Sequence, residues 1–105
     1  MTDYEIYLAA GIEIVERDGD TMHMSVTTVA GVVTVMAEML RVEGLLVLDQ
    51  VHVDGQGLRL GDIRRLAKVF GEVEDVEEVI IQGGTRTSGA HPGSRPTPIR
   101  VQVTR

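Results

Sequence analysis

The sequence predicts an α+β fold: one two-layer domain whose mixed, mostly antiparallel sheet carries two helices on one face, in the order β-β-α-β-α-β-β. Three observations predict it. Apolar and polar residues alternate with a period of two near both ends of the chain. Between those ends, two stretches repeat at helical spacing. The chain has 105 residues, enough for one core and hardly two, with no internal repeat or linker, so residues 1–105 read as a single domain.

The elements follow in order. Residues 3–10 are apolar enough to extend the first strand or to form a short lead-in. Residues 11–28 read as a hairpin. Ile12, Ile14, Met22, Met24 and Val26 alternate with Glu13, His23, Ser25 and Thr27 around the turn Arg17-Asp18-Gly19-Asp20. Val32, Val35, Met36, Met39 and Leu40 then fall at helical spacing. Thr27 or Thr28 would cap that helix and Gly44 would end it. A long strand through Val35 competes with the helix, because valines are stiff at χ1 and favour strands.

Leu45–Val53 reads as an interior strand, with Leu45, Val47, Val51 and Val53 on one face and Leu46 and Leu48 on the other. Asp54-Gly55-Gln56-Gly57 is a turn. Leu58–Phe70 is a helix with the stripe Leu60, Ile63, Leu66, Ala67 and Phe70, stopped by Gly71. After the acidic connection 72–78 come a short strand, Val79–Ile81, and a last strand in which Ile99, Val101 and Val103 alternate with Arg100, Gln102 and Thr104. Met22, Met24, Met36 and Met39 read as core fillers.

Composition bounds the function. The absence of cysteine excludes disulfides, thiol nucleophiles and thiolate metal sites. Three scattered histidines lack metal-ligand spacing, so no metal is expected, and no cofactor either. Asp3 and Glu5 lead the chain, and no uncharged stretch before the C-terminal region suits a signal peptide or membrane span. The expectation is a cytoplasmic protein, or one exported without an N-terminal signal, with no membrane partner. The net charge of −6 argues against a protein that coats nucleic acid through general basicity.

The charge is uneven. All 16 acids lie at or before Glu78, whereas residues 79–105 hold Arg86, Arg95, Arg100 and Arg105 and no acid. Within that tail, residues 83–96 read GGTRTSGAHPGSRP, a long connection for so small a domain. Its glycines permit close approach, and Thr85, Thr87 and Ser88 bring hydroxyls. Arg86 and Arg95 bring guanidinium forks, and His91 can move a proton near neutrality. That set suits an anion. With His52 as a second proton carrier and Glu38 or Asp54 behind it, it would suit metal-free phosphodiester cleavage. His91, Arg86 and His52 are therefore the candidate catalytic residues. Thr85, Thr87, Ser88, Arg95 and Arg100 are the candidate substrate-binding ones. The bland alternative is a mobile surface loop, with His23 merely solvated and His52 a satisfied strand residue.

The stretch VIIQGGTRTSGAHPGSRPTPIRVQV, preceded by LLVLDQVHVDG and the second helix, resembles C-terminal toxin domains of bacterial polymorphic toxin systems. The likeness spans 45–105. It implies a helix packed on an antiparallel sheet, metal-independent RNA cleavage, and roles for Arg86, Thr87 and His91. Two features of the sequence stand against RNA. The chain is acidic, and Tyr4, Tyr7 and Phe70 are its only aromatics, so base stacking is scarce. The acidic body instead suits a non-enzymatic accessory or immunity-like module, binding a protein partner or a second copy through strand edges. A scaffold domain without chemistry is the third expectation.

Overall fold

The computed structural model describes residues 2–83 and 97–103. Its elements are α1 (Asp3–Ala9), β1 (Ile12–Asp18), β2 (Thr21–Thr28), β3 (Gly31–Val42), β4 (Leu45–Asp54), α2 (Leu60–Glu74), β5 (Glu78–Gly83) and β6 (Ile99–Gln102). They form one six-stranded sheet in chain order. All neighbouring strands are antiparallel except β4 and β5, which run parallel and are joined through α2. Both helices share one core with one face of the sheet, and the rings of Tyr7 (α1) and Phe70 (α2) meet at 4.9 Å. The α+β class and the two-layer arrangement are those expected from the sequence.

The element order differs from the expected β-β-α-β-α-β-β. The first helix is α1, not residues 29–44. Thr2 caps it by accepting a hydrogen bond from the Glu5 amide at 3.2 Å, and Asp3 and Glu5 sit favourably in its first turn. Residues 31–42 are instead the longest strand, with Val33, Val35, Ala37 and Met39 buried and the residues between them exposed. A strand apolar on both faces imitates a helical stripe, and its β-branched residues decide the contest. Thr28 tightens a hairpin turn here, its hydroxyl donating to the Gly31 carbonyl at 2.8 Å and accepting from the Ala30 amide at 3.1 Å. Gly44, with φ of 66°, lies in the next hairpin turn rather than ending a helix.

Two further corrections concern positions that the site depends on. Gln50 adopts φ of 52° and is an extra residue in β4 relative to both neighbours. This bulge reverses the side-chain alternation. Leu46, Leu48, Val51 and Val53 consequently all face the helices, and Leu45 and Val47 face away. Gly71 does not stop α2, which continues to Glu74 and ends on Asp75 in the left-handed conformation. Gly71 is buried where Val103 crosses the helix.

Candidate functional site

Among the described residues, both helices pack on one side of the sheet and no element covers the other. Met22, Met24 and Val26 of β2 point into the core, so Thr21, His23, Ser25 and Thr27 point out. The register carries that outward face across the sheet. Leu40 stands opposite Val47, Val47 beside Ile80, and Ile80 opposite Arg100. In the next row Val42 stands opposite Leu45, which neighbours Glu78. Leu40, Val42, Leu45, Val47 and Ile80 thus make one apolar strip over three adjacent strands. Leu40 is 41% and Val42 59% exposed, although side chains of this kind are usually buried.

Towards the other end the same face is polar and acidic. Glu16, His23, Met36 and His52 form one cross-strand row. Asp18, Thr21, Glu38 and Asp49 form the next. Glu13 lies opposite Ser25 and Asp54 opposite Thr34. With Glu78, this face carries seven carboxylates against a single described guanidinium, that of Arg100. The other six described bases lie on the helix side: Arg17 opposite buried Met22, Arg41 opposite buried Leu46, and Arg59, Arg64, Arg65 and Lys68 in or beside α2. There they meet their own acids, as in Arg41 with Glu74 at 3.4 Å and Arg65 with Asp62 at 3.4 Å. The excess negative charge of the described chain therefore collects on the bare face and in the turns.

Arg100, expected to bind substrate, is held by Glu78 at 3.0 Å, and Gln102 donates to the other oxygen of the same carboxylate. His52 is exposed on the open face, opposite Met36. Glu38 lies in the adjacent row and Asp54 two residues along the same strand, but neither is hydrogen-bonded to it. Val51 neighbours Gly83, so His52 lies next to the strand end that leads into residue 84. Thr85, Arg86, Thr87, Ser88, His91 and Arg95 fall outside the described residues. His23 shares a row with His52, separated by Met36, which is not a core filler but 38% exposed on the same face. Sequence reasoning missed the open face because the helix assigned to residues 29–44 hid β3. The signal was present in the run of valines and in apolar residues at both parities.

Other features of the described residues are modest. A small apolar cavity of about 50 Å³ lies under α2, lined in part by Met24, Ala37, Leu48 and Ile63. A shallow groove lies beside Leu8, Glu13, Thr27 and Val32. Burial against Phe70, with Glu74 and Asp3 adding to it, pushes the Tyr7 phenol far above its ordinary pKa. No group of three or more His, Asp or Glu among the described residues is placed to hold a metal ion, and no described helix is long and apolar enough to cross a membrane. Comparison with protein-family models, curated proteins and solved structures gave no match.

Proposed function

We propose that this protein is a non-enzymatic binding module that works by covering the open face of its sheet with another protein surface. The observation that carries the reading is the strip of Leu40, Val42, Leu45, Val47 and Ile80 on the side of the sheet that the helices leave uncovered, with Leu40 and Val42 exposed and Leu45, Val47 and Ile80 half-buried. In water this strip is unfavourable, by roughly 25 cal/mol for each Å² of apolar surface left wet. Size agrees with the reading. Six strands about 4.8 Å apart, crossed by strands of about eight residues, give a face on the order of 600 Å² in projection. A standard interface takes about 800 Å² of accessible surface from each partner.

The test uses a tagged chain in its own cells. The wild type is expected to elute from size exclusion in a complex larger than its 11.4 kDa chain. A Leu40→Lys/Val47→Lys variant is expected to elute alone, with the purified variant unfolding at nearly the wild-type urea midpoint. A wild type that runs alone, or a variant that keeps its complex, overturns the reading.

A second reading, metal-independent RNA cleavage by a toxin-like domain, is favoured by one observation: His52 lies next to the strand end that leads into the segment holding Arg86 and His91. It predicts that the purified chain degrades total RNA in EDTA and that His91→Ala or His52→Ala abolishes the activity. Intact RNA refutes it.

A further inference from the structure

We infer that the partner of the open face is a cationic protein surface bearing an apolar ridge, and not a second copy of this chain. This deepens the binding-module reading and rests on it. Two features of the face select the occupant. The apolar strip asks for a ridge of aliphatic or aromatic side chains that would interdigitate with Leu40, Val47 and Ile80. The carboxylates beside it ask for lysine or arginine at the rim. Glu38 stands one row from the strip, and Glu16 and Asp18 continue the acidic surface to the sheet edge. Among the described residues this face sets Glu13, Glu16, Asp18, Glu38, Asp54 and Glu78 against one guanidinium, that of Arg100, which Glu78 already engages.

A second copy would bring the same charge to meet it. Two faces packed at the usual sheet separation of about 10 Å would place like charges within roughly one Debye length. Like-charge juxtaposition in an interface suppresses association, whereas a complementary potential speeds encounter and fixes orientation. The helix side of another copy offers no better match, because its six described bases are balanced by six acids, Asp3 and Glu5 of α1 and Asp62, Glu72, Glu74 and Asp75 in or at the end of α2.

The test uses the full chain, isotope-labelled, with two probe peptides: an amphipathic helix of leucine on one face and lysine on the other, and the same helix with glutamate for lysine. The lysine peptide is expected to shift amide signals of residues in 36–47 and 78–82 and to leave residues 62–74 unmoved. Its affinity should weaken about tenfold or more between low salt and about 0.5 M salt. The variant Leu40→Ser/Val47→Ser should lose the interaction, and Glu13→Gln/Glu16→Gln/Glu38→Gln should weaken it several-fold. The glutamate peptide should not bind. If both peptides bind the face equally, or the triple variant binds as well as wild type, the cationic partner is wrong and the binding face stands. If the chain instead dimerises through residues 36–47, the occupant is a second copy and the cationic partner is again wrong. If neither peptide moves those signals and no dimer forms, both the inference and the underlying reading fall.

Discussion

Gly71→Ala is the sharpest test of how the two layers are locked together. Taken as an isolated helix position, the change should help, since alanine is favoured over glycine by about 1 kcal/mol in a helix interior. The structure opposes this. A Cβ built on Gly71 lies 2.2 Å from Cγ2 of Val103 and 3.2 Å from its Cβ and Cγ1. Carbon atoms pack at about 3.5–4.0 Å, so the helix or the chain after β6 must move by more than 1 Å. Val103 resists, because its amide donates to the Glu77 carbonyl at 2.9 Å. Overpacking of this kind costs about 1–3 kcal/mol, and loosening the hydrogen bond costs about 1 kcal/mol more. The balance is a loss of about 1–3 kcal/mol, read by circular dichroism as a urea midpoint lower by about 1 M. Val103→Ala in the same chain should remove the clash, so the double variant is more stable than the sum of the single effects by at least about 1 kcal/mol. A Gly71→Ala protein as stable as wild type, or strictly additive effects in the cycle, would refute the packing described for this position.

Four further outcomes are expected. Burial holds the Tyr7 phenol protonated in the folded state, so its contribution is complete below about pH 10 and is lost progressively above it, by about 1.4 kcal/mol per pH unit; Tyr7→Phe should abolish that alkaline loss in urea titrations repeated across pH, with little change near neutrality. Gln50→Gly relieves a left-handed backbone position and should raise stability by about 1 kcal/mol, whereas deleting Gln50 should unfold the chain by turning Val51 and Val53 to solvent, both checked by thermal melting. Ala37→Val projects into the small cavity under α2 on a strand that favours β-branching, and should raise the urea midpoint modestly. Leu40→Lys should change stability by no more than about 0.5 kcal/mol, against about 2–5 kcal/mol lost for Leu48→Ala, because Leu40 is 41% exposed and Leu48 only 1%.

Much of this architecture is legible in the residues. The first hairpin, the interior strand and the second helix follow from periodicity and turn chemistry. The misreadings share one cause, that local pattern does not report what lies across the sheet. Val32, Val35, Met36, Met39 and Leu40 fit a helix only because β3 is apolar on both sides. The phase of β4 after Asp49 depends on a bulge that no composition signal announces, and Gly71 looks like a stop until Val103 is seen against it. The binding surface was hidden for the same reason. Glu16, Glu38 and Asp49 are far apart in the chain and become one acidic field only through the register of four strands. The arginine-bearing stretch 83–96, conspicuous in the sequence, lies almost wholly outside the described residues, so its expected chemistry stands as the second reading.

The most direct measurement places a photo-crosslinking side chain at position 40, at position 47 and, on the helix side, at position 64, one at a time, in chains expressed in their own cells. Adducts of one defined mass from positions 40 and 47, with none from position 64, are what a partner seated on the bare sheet produces. Adducts from position 64 alone, or none from any position, would show that this face stays in contact with water and that the protein acts by other means.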